Sequence, residues 1–416
     1  MHLIVTLPVC QPMTEENTDL VIIGGGPAGM MAGLLFARAG VRTLVLEKHG
    51  DFLRDFRGDT VHPSTLRIFH ELGLLDELLK RPHNRVEQLG GRVAGQNLKI
   101  VDFRHLRVPA PYIALMPQWE FLDFVAEQAR RYPTFSLRQN CAAIDLIEEG
   151  GRVTGARTKD GAEIRSRLVI ACDGRDSRFR AGLPLTTVGA PMDVFWFRIP
   201  KVMQPDNDSM GVFDTGLLFV LIDRGDYWQC AFVFAKGGAE KIRAEGLDAF
   251  LTRVRAVGPE TATVAEGVKS WDDIKLLTVT VDRLDRWHRP GLLIIGDAAH
   301  AMSPIGGVGI NLAVQDAVAA ANALAGPLAN GAAIDALLQK VQDRRMFPTR
   351  LTQGFQRAIQ DRIIQPLLAS TTPMAKPPLA ARLLDAIPLL RRIPARVLGL
   401  GFRSEHVRSP EAERAD

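Results

Sequence analysis

Cysteine is scarce in this 416-residue chain, whose four cysteines are Cys10, Cys141, Cys172 and Cys230. No two of them form a CxxC pair or fall at the spacing of a zinc finger, which argues against a disulfide-stapled domain, a dithiol reductase and a structural zinc site. The nine histidines are scattered along the sequence and form no metal-ligand cluster. Because nothing here requires an oxidising compartment, we expect the protein in the reducing cytoplasm.

Charge of one sign and long apolar runs are missing as well. The 51 Lys and Arg residues against 47 Asp and Glu give a net charge of +4, which is too small to indicate a nucleic-acid partner. No uninterrupted apolar run reaches the roughly 18–20 residues that a membrane-spanning helix needs. The N-terminus lacks the basic segment of a secretory signal, and the sequence leaves open whether translation begins at Met1 or at Met13. What is present is an average globular composition, 46% hydrophobic and 24% charged, with room for two or three packed subdomains.

A glycine-rich turn follows the first buried-strand pattern. Residues 20–23 (LVII) lead into Gly24, Gly26 and Gly29, which fill a G-x-G-x-x-G. A helix pattern follows at 30–39. In such a turn the first glycine permits a tight bend, the second lets the backbone approach a pyrophosphate, and the third lets helix and strand pack closely. Strand, turn and helix together predict a dinucleotide-binding unit.

The residues around this turn support the same prediction. Pro27 suits the first helical turn, where its missing N–H costs nothing, and Ala28 lies beside it at the helix N-terminus that would face the phosphate. A second buried-strand pattern at 41–46 ends at Glu47, next to Lys48. A carboxylate at this position can accept both ribose hydroxyls, which favours an adenosine without a 2′-phosphate.

Two later segments also carry an aspartate at the end of a buried-strand pattern. The first, LVIACDGRDSRFR at 168–180, places Asp173 and Arg180 in a DGxxSxxR pattern. The second, GLLIIGDAAH, carries Asp297 and continues into PIGGVGIN at 304–311 before a helix pattern begins.

The three motifs GxGxxG, DGxxSxxR and GDAAHxxxPxxGxGxN occur in the order found in single-component FAD-dependent aromatic hydroxylases, and the chain resembles this family, typified by para-hydroxybenzoate hydroxylase. The resemblance implies an α/β fold, with a Rossmann-like FAD-binding domain of the GR2 type, an inserted antiparallel-sheet substrate domain and a helical C-terminal segment. The implied boundaries are an N-terminal tail at 1–18, the FAD-binding domain at 19–181 and 285–330, the substrate domain at 182–284 and the helical segment at 331–416.

The resemblance also implies which residues hold FAD. Asp297 would bond a ribityl hydroxyl, and the loop at 306–311 would place backbone N–H groups and a helix N-terminus at the N1/O2 edge of the flavin, where they stabilise negative charge. Arg57 and Gln118 resemble family residues that lie beside the FAD. The candidate cofactor-binding residues are Gly24, Gly26, Pro27, Ala28, Gly29, Glu47, Lys48, Arg57, Gln118, Asp173, Asp297, Gly307, Gly309, Ile310 and Asn311.

The sequence identifies no catalytic acid or base. Arg57 and Pro304 are candidates for a direct role, because the matching family residues lie next to the flavin, and Arg180 lies on the implied NAD(P)H path. Strand patterns at 192–200, 216–222, 227–235 and 275–281 predict an antiparallel sheet. The resemblance implies that this sheet roofs the flavin. Phe195, Phe197 and Phe232 are candidates for its substrate lining, although strand neighbours alternate and about half of such residues should face the other way.

The sequence contains one nucleotide fingerprint and no second one for a nicotinamide coenzyme, and it has no CxxC pair and no metal-ligand cluster. The oxidising power must therefore reside in the flavin. The resemblance implies that NADPH or NADH binds transiently and reduces FAD, and that O2 then forms a flavin C4a-hydroperoxide, which hydroxylates an aromatic or polycyclic small molecule. Two alternatives remain: an FAD-dependent reductase of a lipophilic substrate, similar to geranylgeranyl reductases, and a non-catalytic binding protein similar to GDP-dissociation inhibitors. The halogenase pattern WxWxIP is FxFxIP here, which disfavours halogenation.

The C-terminal segment has a charge that the whole chain conceals. Residues 376–408 contain seven basic residues against Asp385 and Glu405, a net charge of 7 − 2 = +5. Apolar residues interleave with them, which predicts basic amphipathic helices. These helices would either contact a membrane peripherally or pack on the body with a solvated basic face. A monomer and a homodimer are both compatible with the sequence.

Overall fold

The computed structural model describes residues 15–53, 59–201, 210–372 and 374–412. The strands are β1 Glu15–Asn17, β2 Leu20–Ile23, β3 Thr43–Leu46, β4 Thr60–Val61, β5 Asn84–Val86, β6 Gln88–Val93, β7 Gln96–Asp102, β8 Ile113–Leu115, β9 Phe135–Arg138, β10 Ala143–Glu149, β11 Arg152–Thr158, β12 Glu163–Arg165, β13 Leu168–Ala171, β14 Leu185–Thr187, β15 Met192–Pro200, β16 Met210–Asp214, β17 Leu217–Asp223, β18 Tyr227–Ala235, β19 Lys275–Leu277, β20 Asp282–Leu284, β21 His288–Arg289 and β22 Leu292–Ile294. The α-helices are α1 Pro27–Arg38, α2 Pro63–Glu71, α3 Leu75–Leu78, α4 Gln118–Ala129, α5 Ala239–Ala244, α6 Leu247–Arg255, α7 Val264–Gly267, α8 Gly309–Ala329, α9 Asp335–Ile359, α10 Gln365–Ala369, α11 Leu379–Ala386 and α12 Arg392–Leu400.

A six-stranded sheet, in the order β21-β22-β13-β2-β3-β9, forms the centre of the half that carries the glycine turn. Its strands β22, β13, β2, β3 and β9 run parallel, and β2, β3 and β13 are buried along their whole length. Helices α1, α4 and α8 cover one face, and the sheet containing β10, β11 and β12 covers the other. Burial on both faces explains why these strands are continuous apolar runs such as LVII and LVIA.

The register of this sheet brings three chain segments to one edge. Ile23 is paired with Ala171, which is paired in turn with Ile294 on the far side. The residues that follow these three strands therefore leave the sheet side by side. They are the glycine turn, the segment that begins at Asp173 and the segment that carries Asp297.

A seven-stranded sheet, in the order β19-β15-β18-β17-β16-β6-β7, forms the second half. The strand predicted at 192–200 has those bounds, whereas the one predicted at 275–281 ends at Leu277. The reason is local: the Val279 N–H donates to the Asp193 carboxylate (3.0 Å) instead of to a strand neighbour. The sequence also gave no sign that β6 and β7 belong to this sheet, where β6 pairs parallel with β16.

The two faces of this sheet have different neighbours. The outer face packs against α5, α6 and α7. The inner face packs against Ile305, the end of α9 and α10. A π-helical turn at Gln360–Ile364 joins α9 to α10. The inner face is therefore the one that adjoins the loop preceding α8.

Within the described ranges, one helical stretch, Ile305–Ala329, is long and apolar enough to cross a membrane, and 78% of its most apolar window is buried inside the protein. Burial of this kind is what a core helix requires, and α8 packs between α1 and α9.

The C-terminal segment runs back over the half that contains the six-stranded sheet. Helix α12 contacts α2 and β7, and the chain beyond it lies along α1, where Arg38 donates to the Ser409 carbonyl oxygen (3.0 Å). Helix α11 packs beside β7 but buries none of its own residues. The predicted amphipathic helices are thus docked on the body at one end and exposed at the other.

Candidate active site

The glycine turn has a crowded side and an open side. A Cβ on Gly29 would lie 1.9 Å from the Gly24 carbonyl oxygen, and one on Gly24, whose φ is +105°, would lie 2.6 Å from the Cys172 carbonyl oxygen. A Cβ on Gly26 would have no atom within 4 Å. Gly26 caps α1, and Pro27 is the first residue of that helix. The turn therefore leaves an open cradle at a helix N-terminus, where a pyrophosphate can accept backbone N–H groups.

Glu47 is fixed beside this cradle. Its carboxylate is buried, and it accepts the N–H of Gly25 through Oε2 (2.8 Å) and the N–H of His49 through Oε1 (3.0 Å). Lys48, next along the chain, is exposed. The position is that of a carboxylate able to orient a ribose at the end of the second parallel strand.

Two aspartates lie at the neighbouring strand ends. Asp173 is largely buried, its Oδ1 has no hydrogen-bond partner, and burial raises the pKa of its carboxyl group. Asp297 is partly exposed in a 3₁₀ turn, and its Oδ2 lies 3.7 Å from the guanidinium of Arg175. Sequence reasoning missed Arg175, because it occupies a variable position of the DGxxSxxR pattern.

The loop before α8 leads into the N-terminus of that helix, which is open although most of the helix is buried. Gly306 and Gly307 have φ values of +77° and +62°, and a Cβ on Gly309 would have no atom within 4 Å. Pro304 begins this loop and is half-buried, whereas Ile310 is buried in the core. The first N–H groups of a helix have no intrahelical acceptor, so this end can receive the polar edge of a ring.

Asn311 holds the loop in place. Its Oδ1 accepts the His62 N–H (2.9 Å) and the Thr65 hydroxyl (2.7 Å). Its Nδ2 donates to the carbonyl oxygens of Thr60 (3.1 Å) and Gly307 (3.3 Å). Because the amide group is used within the chain, a cofactor contact from Asn311 would come from its backbone N–H.

His62 and Thr60 complete the set of hydrogen bonds that holds this loop in place. The Thr60 hydroxyl donates to the Gly307 carbonyl oxygen (2.7 Å), and Nδ1 of His62 lies 2.8 Å from the Leu398 carbonyl oxygen in α12. Burial lowers the pKa of His62 to about 4, so the ring is neutral near pH 7 and Nδ1 carries its proton.

Three other predicted residues have varied settings. Gln118 is the first residue of α4 and is partly buried. Arg180 donates to Asp282 in β20 (3.1 Å), so its guanidinium is already paired within the chain. Arg57 lies outside the described residues.

The candidate substrate lining needs correction. Phe195, Phe197 and Phe232 are buried on the outer face of the seven-stranded sheet, where they surround Phe250 of α6 at centroid distances of 5.9, 5.6 and 5.4 Å. Side chains alternate along a strand, and the sequence does not reveal which of the two sets faces the flavin. The inner face instead carries their strand neighbours, with Trp196 opposite Ala231 and Ala231 opposite Val220.

These residues fit FAD. An open cradle at Gly26, a fixed carboxylate at Glu47, an unpartnered Asp173 oxygen and an open helix end at Gly309 follow one another along the edge of one parallel sheet. Within the described ranges, no group of three or more His, Cys, Asp or Glu side chains could hold a metal ion. The fold and the site define a flavoprotein oxidoreductase that uses bound FAD.

The particular family follows from comparison with known proteins. The chain belongs to the FAD binding domain family, whose model matches residues 17–354. The 6-methylpretetramide 4-monooxygenase of Streptomyces rimosus is 32% identical over 97% of both chains. A rifampicin monooxygenase of Streptomyces venezuelae is 29% identical over 72% of this chain and 62% of its own length.

A solved structure supports the fold alone. The p-nitrophenol 4-monooxygenase PnpA of Pseudomonas putida superimposes with a TM-score of 0.70 at 22% identity, covering 92% of this chain and 96% of PnpA. The predicted fold class and family are confirmed, and the protein is an FAD-dependent monooxygenase. The reductase and binding-protein alternatives are correspondingly disfavoured.

Proposed function

We propose that this protein hydroxylates a fused-ring aromatic small molecule with O2, using NADPH or NADH as the electron donor. One observation carries the choice of substrate class: similarity to a 6-methylpretetramide 4-monooxygenase extends over 97% of both chains, and so includes the sheet that would cover the substrate. FAD, when bound, supplies the reduction of O2 and the transfer of one oxygen atom.

The residues of this chain would bind and orient the cofactor. Gly26 and the α1 N-terminus would hold the pyrophosphate, Glu47 the ribose and Asp297 a ribityl hydroxyl. The N-terminus of α8, from Gly309, would stabilise negative charge at the flavin edge. An approach of the coenzyme past Arg180 remains part of the proposal, and a coenzyme phosphate there would compete with Asp282.

The inner sheet face has a shape that suits a flat substrate. Between the rings of Trp196 and Phe213 it presents only the small side chains of Ala231 and Val220 and the bare backbone of Gly211. The Phe213 ring lies over Gly211, since a Cβ there would be 2.6 Å from it. Three strand spacings separate β15 from β16, which makes the strip about 14 Å wide.

Oxygen incorporation tests this function. The FAD-loaded protein should oxidise NADPH or NADH faster when a hydroxyanthraquinone is added, and ¹⁸O2 should place one labelled atom in the product. Product that forms equally well without oxygen would contradict a monooxygenase and favour the reductase alternative.

A peripheral membrane contact through residues 376–408 is proposed separately, on the exposure of apolar side chains there. Leu379, Leu389 and Ile393 are 67%, 62% and 65% exposed, and Arg392 lies among them. Apolar side chains beside basic ones suit an anionic lipid surface. The protein would remain cytoplasmic and associate with the membrane only at this surface.

Vesicle co-sedimentation tests the contact. The full chain should pellet with vesicles of anionic phosphatidylglycerol, and a variant with glutamine at 379, 389 and 393 should not. Phe347→Gln, on the exposed face of α9, is the matched control. Equal pelleting of the triple variant would end the proposal. Light scattering of the protein without vesicles would distinguish a monomer from a homodimer.

A further inference from the structure

A buried polar cluster joins the inner face of the seven-stranded sheet to the loop before α8, residues 304–308, which we call the flavin loop. The side chains of Arg224 and Asp59 are only 5% and 9% exposed, and Nη2 of Arg224 donates to Oδ2 of Asp59. Nε of Arg224 donates to Oε1 of Gln229 in β18 (3.0 Å). The carboxylate of Asp59 lies beside the Gln229 side chain and the first residue of α4, Gln118.

Two donors near this cluster lack an acceptor. Nη1 of Arg224 and Nε1 of Trp196 are both buried and have no hydrogen-bond partner. A buried donor left unpaired costs about 1–3 kcal/mol, so each such donor calls for an explanation. Oδ2 of Asp59 and Oε1 of Gln229 both accept from Arg224, so the group that this guanidinium can still offer to a ligand is the donor Nη1.

The two donors belong to one face of the sheet. Trp196 is opposite Ala231 across β15 and β18, and Gln229, two residues from Ala231, points to the same side. Diagonal neighbours of this kind lie about 7–8 Å apart between Cα atoms. Trp196 and the Arg224–Gln229 pair therefore line adjacent parts of the inner face.

The cluster is also coupled to the flavin loop. Asp59 directly precedes Thr60, whose hydroxyl donates to the Gly307 carbonyl oxygen (2.7 Å). Ile305 of the same loop packs against the inner-face residues around Trp196. A ligand atom between these donors would thus lie on the side of the sheet that faces the flavin.

We infer that Arg224 and Trp196 bind an ionised oxygen of the substrate, which makes the substrate an acidic phenol or an enolised 1,3-dicarbonyl compound; the inference rests on the proposed function. A guanidinium donates most strongly to an anionic oxygen, and one desolvated bond of this kind is worth roughly twice a neutral one. The ionised form also gives the ring more electron density, which favours transfer of an electrophilic oxygen atom to carbon. Asp59 holds the guanidinium in place and touches no substrate.

A pair of probes that differ only in acidity tests the inference. 2-Hydroxyanthraquinone and 2-methoxyanthraquinone are titrated anaerobically into the FAD-loaded protein, and the absorption band of the bound hydroxy compound reports its ionisation. The wild type should bind the hydroxy compound as the phenolate and about tenfold more tightly than the ether, as expected for a charge-assisted hydrogen bond.

Variants assign the effect to the donors. Arg224→Met should abolish the preference and the phenolate band and leave the affinity for the ether unchanged. Trp196→Phe, which removes only the indole N–H, should weaken the hydroxy compound about threefold. Arg92→Met is the matched control, because Arg92 pairs with Glu260 (3.2 Å) on the outer face of the same sheet.

The outcomes separate this inference from the function on which it rests. The inference would be overturned if the wild type bound the two probes with equal affinity. It would also be overturned if Trp196→Phe and Arg224→Met each weakened both probes equally, because the donors would then only bind water or stabilise the fold. Binding of the phenolate by the wild type and its loss in Arg224→Met would support the inference even if no ¹⁸O entered any product. The absence of ¹⁸O would count against the hydroxylase proposal alone.

Discussion

At the scale of single residues, Asp297 offers a direct test of the cofactor site. Its carboxylate is partly exposed and makes one long contact, 3.7 Å to Arg175, so the fold depends little on it. Asp297→Ala should therefore fold normally but lose FAD, with an affinity about tenfold lower for the loss of a hydrogen bond to a charged group. Flavin content after gel filtration measures this, and the exposed Asp176→Ala is the control. Unchanged flavin content would remove Asp297 from the site.

His62 should make stability depend on pH. Burial lowers the pKa of His62 from 6.5 to about 4, so between these values the unfolded chain binds a proton that the folded protein does not. Stability therefore falls as the pH drops from 6.5 towards 4, by up to about 3 kcal/mol. Urea unfolding at several pH values measures the slope.

The matched variants isolate this group. His62→Gln keeps an N–H that can reach the Leu398 carbonyl oxygen, and it should flatten the slope between pH 6.5 and 4. His70→Gln, at the exposed end of α2, should leave the slope unchanged. A slope that survives in His62→Gln must come from other groups.

At the scale of elements, alanine substitutions at two glycines of one turn should have different effects. A Cβ on Gly29 would lie 1.9 Å from the Gly24 carbonyl oxygen, so Gly29→Ala should destabilise the protein by several kcal/mol even without FAD. A Cβ on Gly26 meets no protein atom within 4 Å, so Gly26→Ala should fold but exclude the pyrophosphate.

Two measurements on the same samples distinguish these effects. Urea unfolding of the apoprotein should show a loss of stability for Gly29→Ala only, and FAD binding should be weakened in both variants. If Gly26→Ala kept the wild-type affinity for FAD, the open cradle would not be the pyrophosphate site.

The elements also show what a sequence can predict and what it cannot. The strand before Gly24, the tight turn and the first helix depend on residues close in the chain, so the sequence pattern predicts them. The facing of β15 is different: Phe195 and Trp196 are both apolar and both belong on a sheet that is covered on each side. Only the packing of α6 against one face decides which of them adjoins the loop before α8.

Contacts between segments that are distant in the chain could not be predicted from the sequence for a related reason. Arg224 and Asp59 are 165 positions apart, and each is an ordinary charged residue in its local pattern. Asn311 was predicted from its motif, but its four side-chain hydrogen bonds depend on where the β4–α2 segment folds. Such contacts become visible only when the tertiary structure brings the segments together.

At the scale of the whole molecule, the C-terminal segment is connected to the proposed FAD site through buried charges. Glu405 accepts from Arg344 (2.6 Å) and Arg345 (3.4 Å), and Arg345 donates to Asp316 of α8 (2.8 Å). Asp316 also bonds His300 at 2.5 Å. Burial by itself would raise the pKa of Asp316, but the adjacent His300 and Arg345 outweigh it and hold that pKa below its ordinary value.

This chain of contacts ends at the cofactor turn. The Gly296 N–H donates to Asp316 (3.1 Å), and Gly296 directly precedes Asp297. A change in the C-terminal segment should therefore affect both the stability of the fold and the position of Asp297, the residue proposed to bind FAD.

Glu405→Gln tests this connection. The substitution removes the negative charge beside Arg345, whose side chain is fully buried, and loss of one partner from such a network costs about 3–5 kcal/mol. Glu411→Gln is the control, because Glu411 pairs with Arg38 at the exposed end of the same segment and a surface pair contributes about 0–1 kcal/mol. Urea unfolding of the apoprotein measures the loss of stability, and FAD titration measures whether the Gly296 turn is disturbed. Weakened FAD binding in Glu405→Gln under conditions where the protein stays folded would show that the C-terminal segment supports the cofactor site; a loss of stability with unchanged FAD affinity would confine its role to the fold.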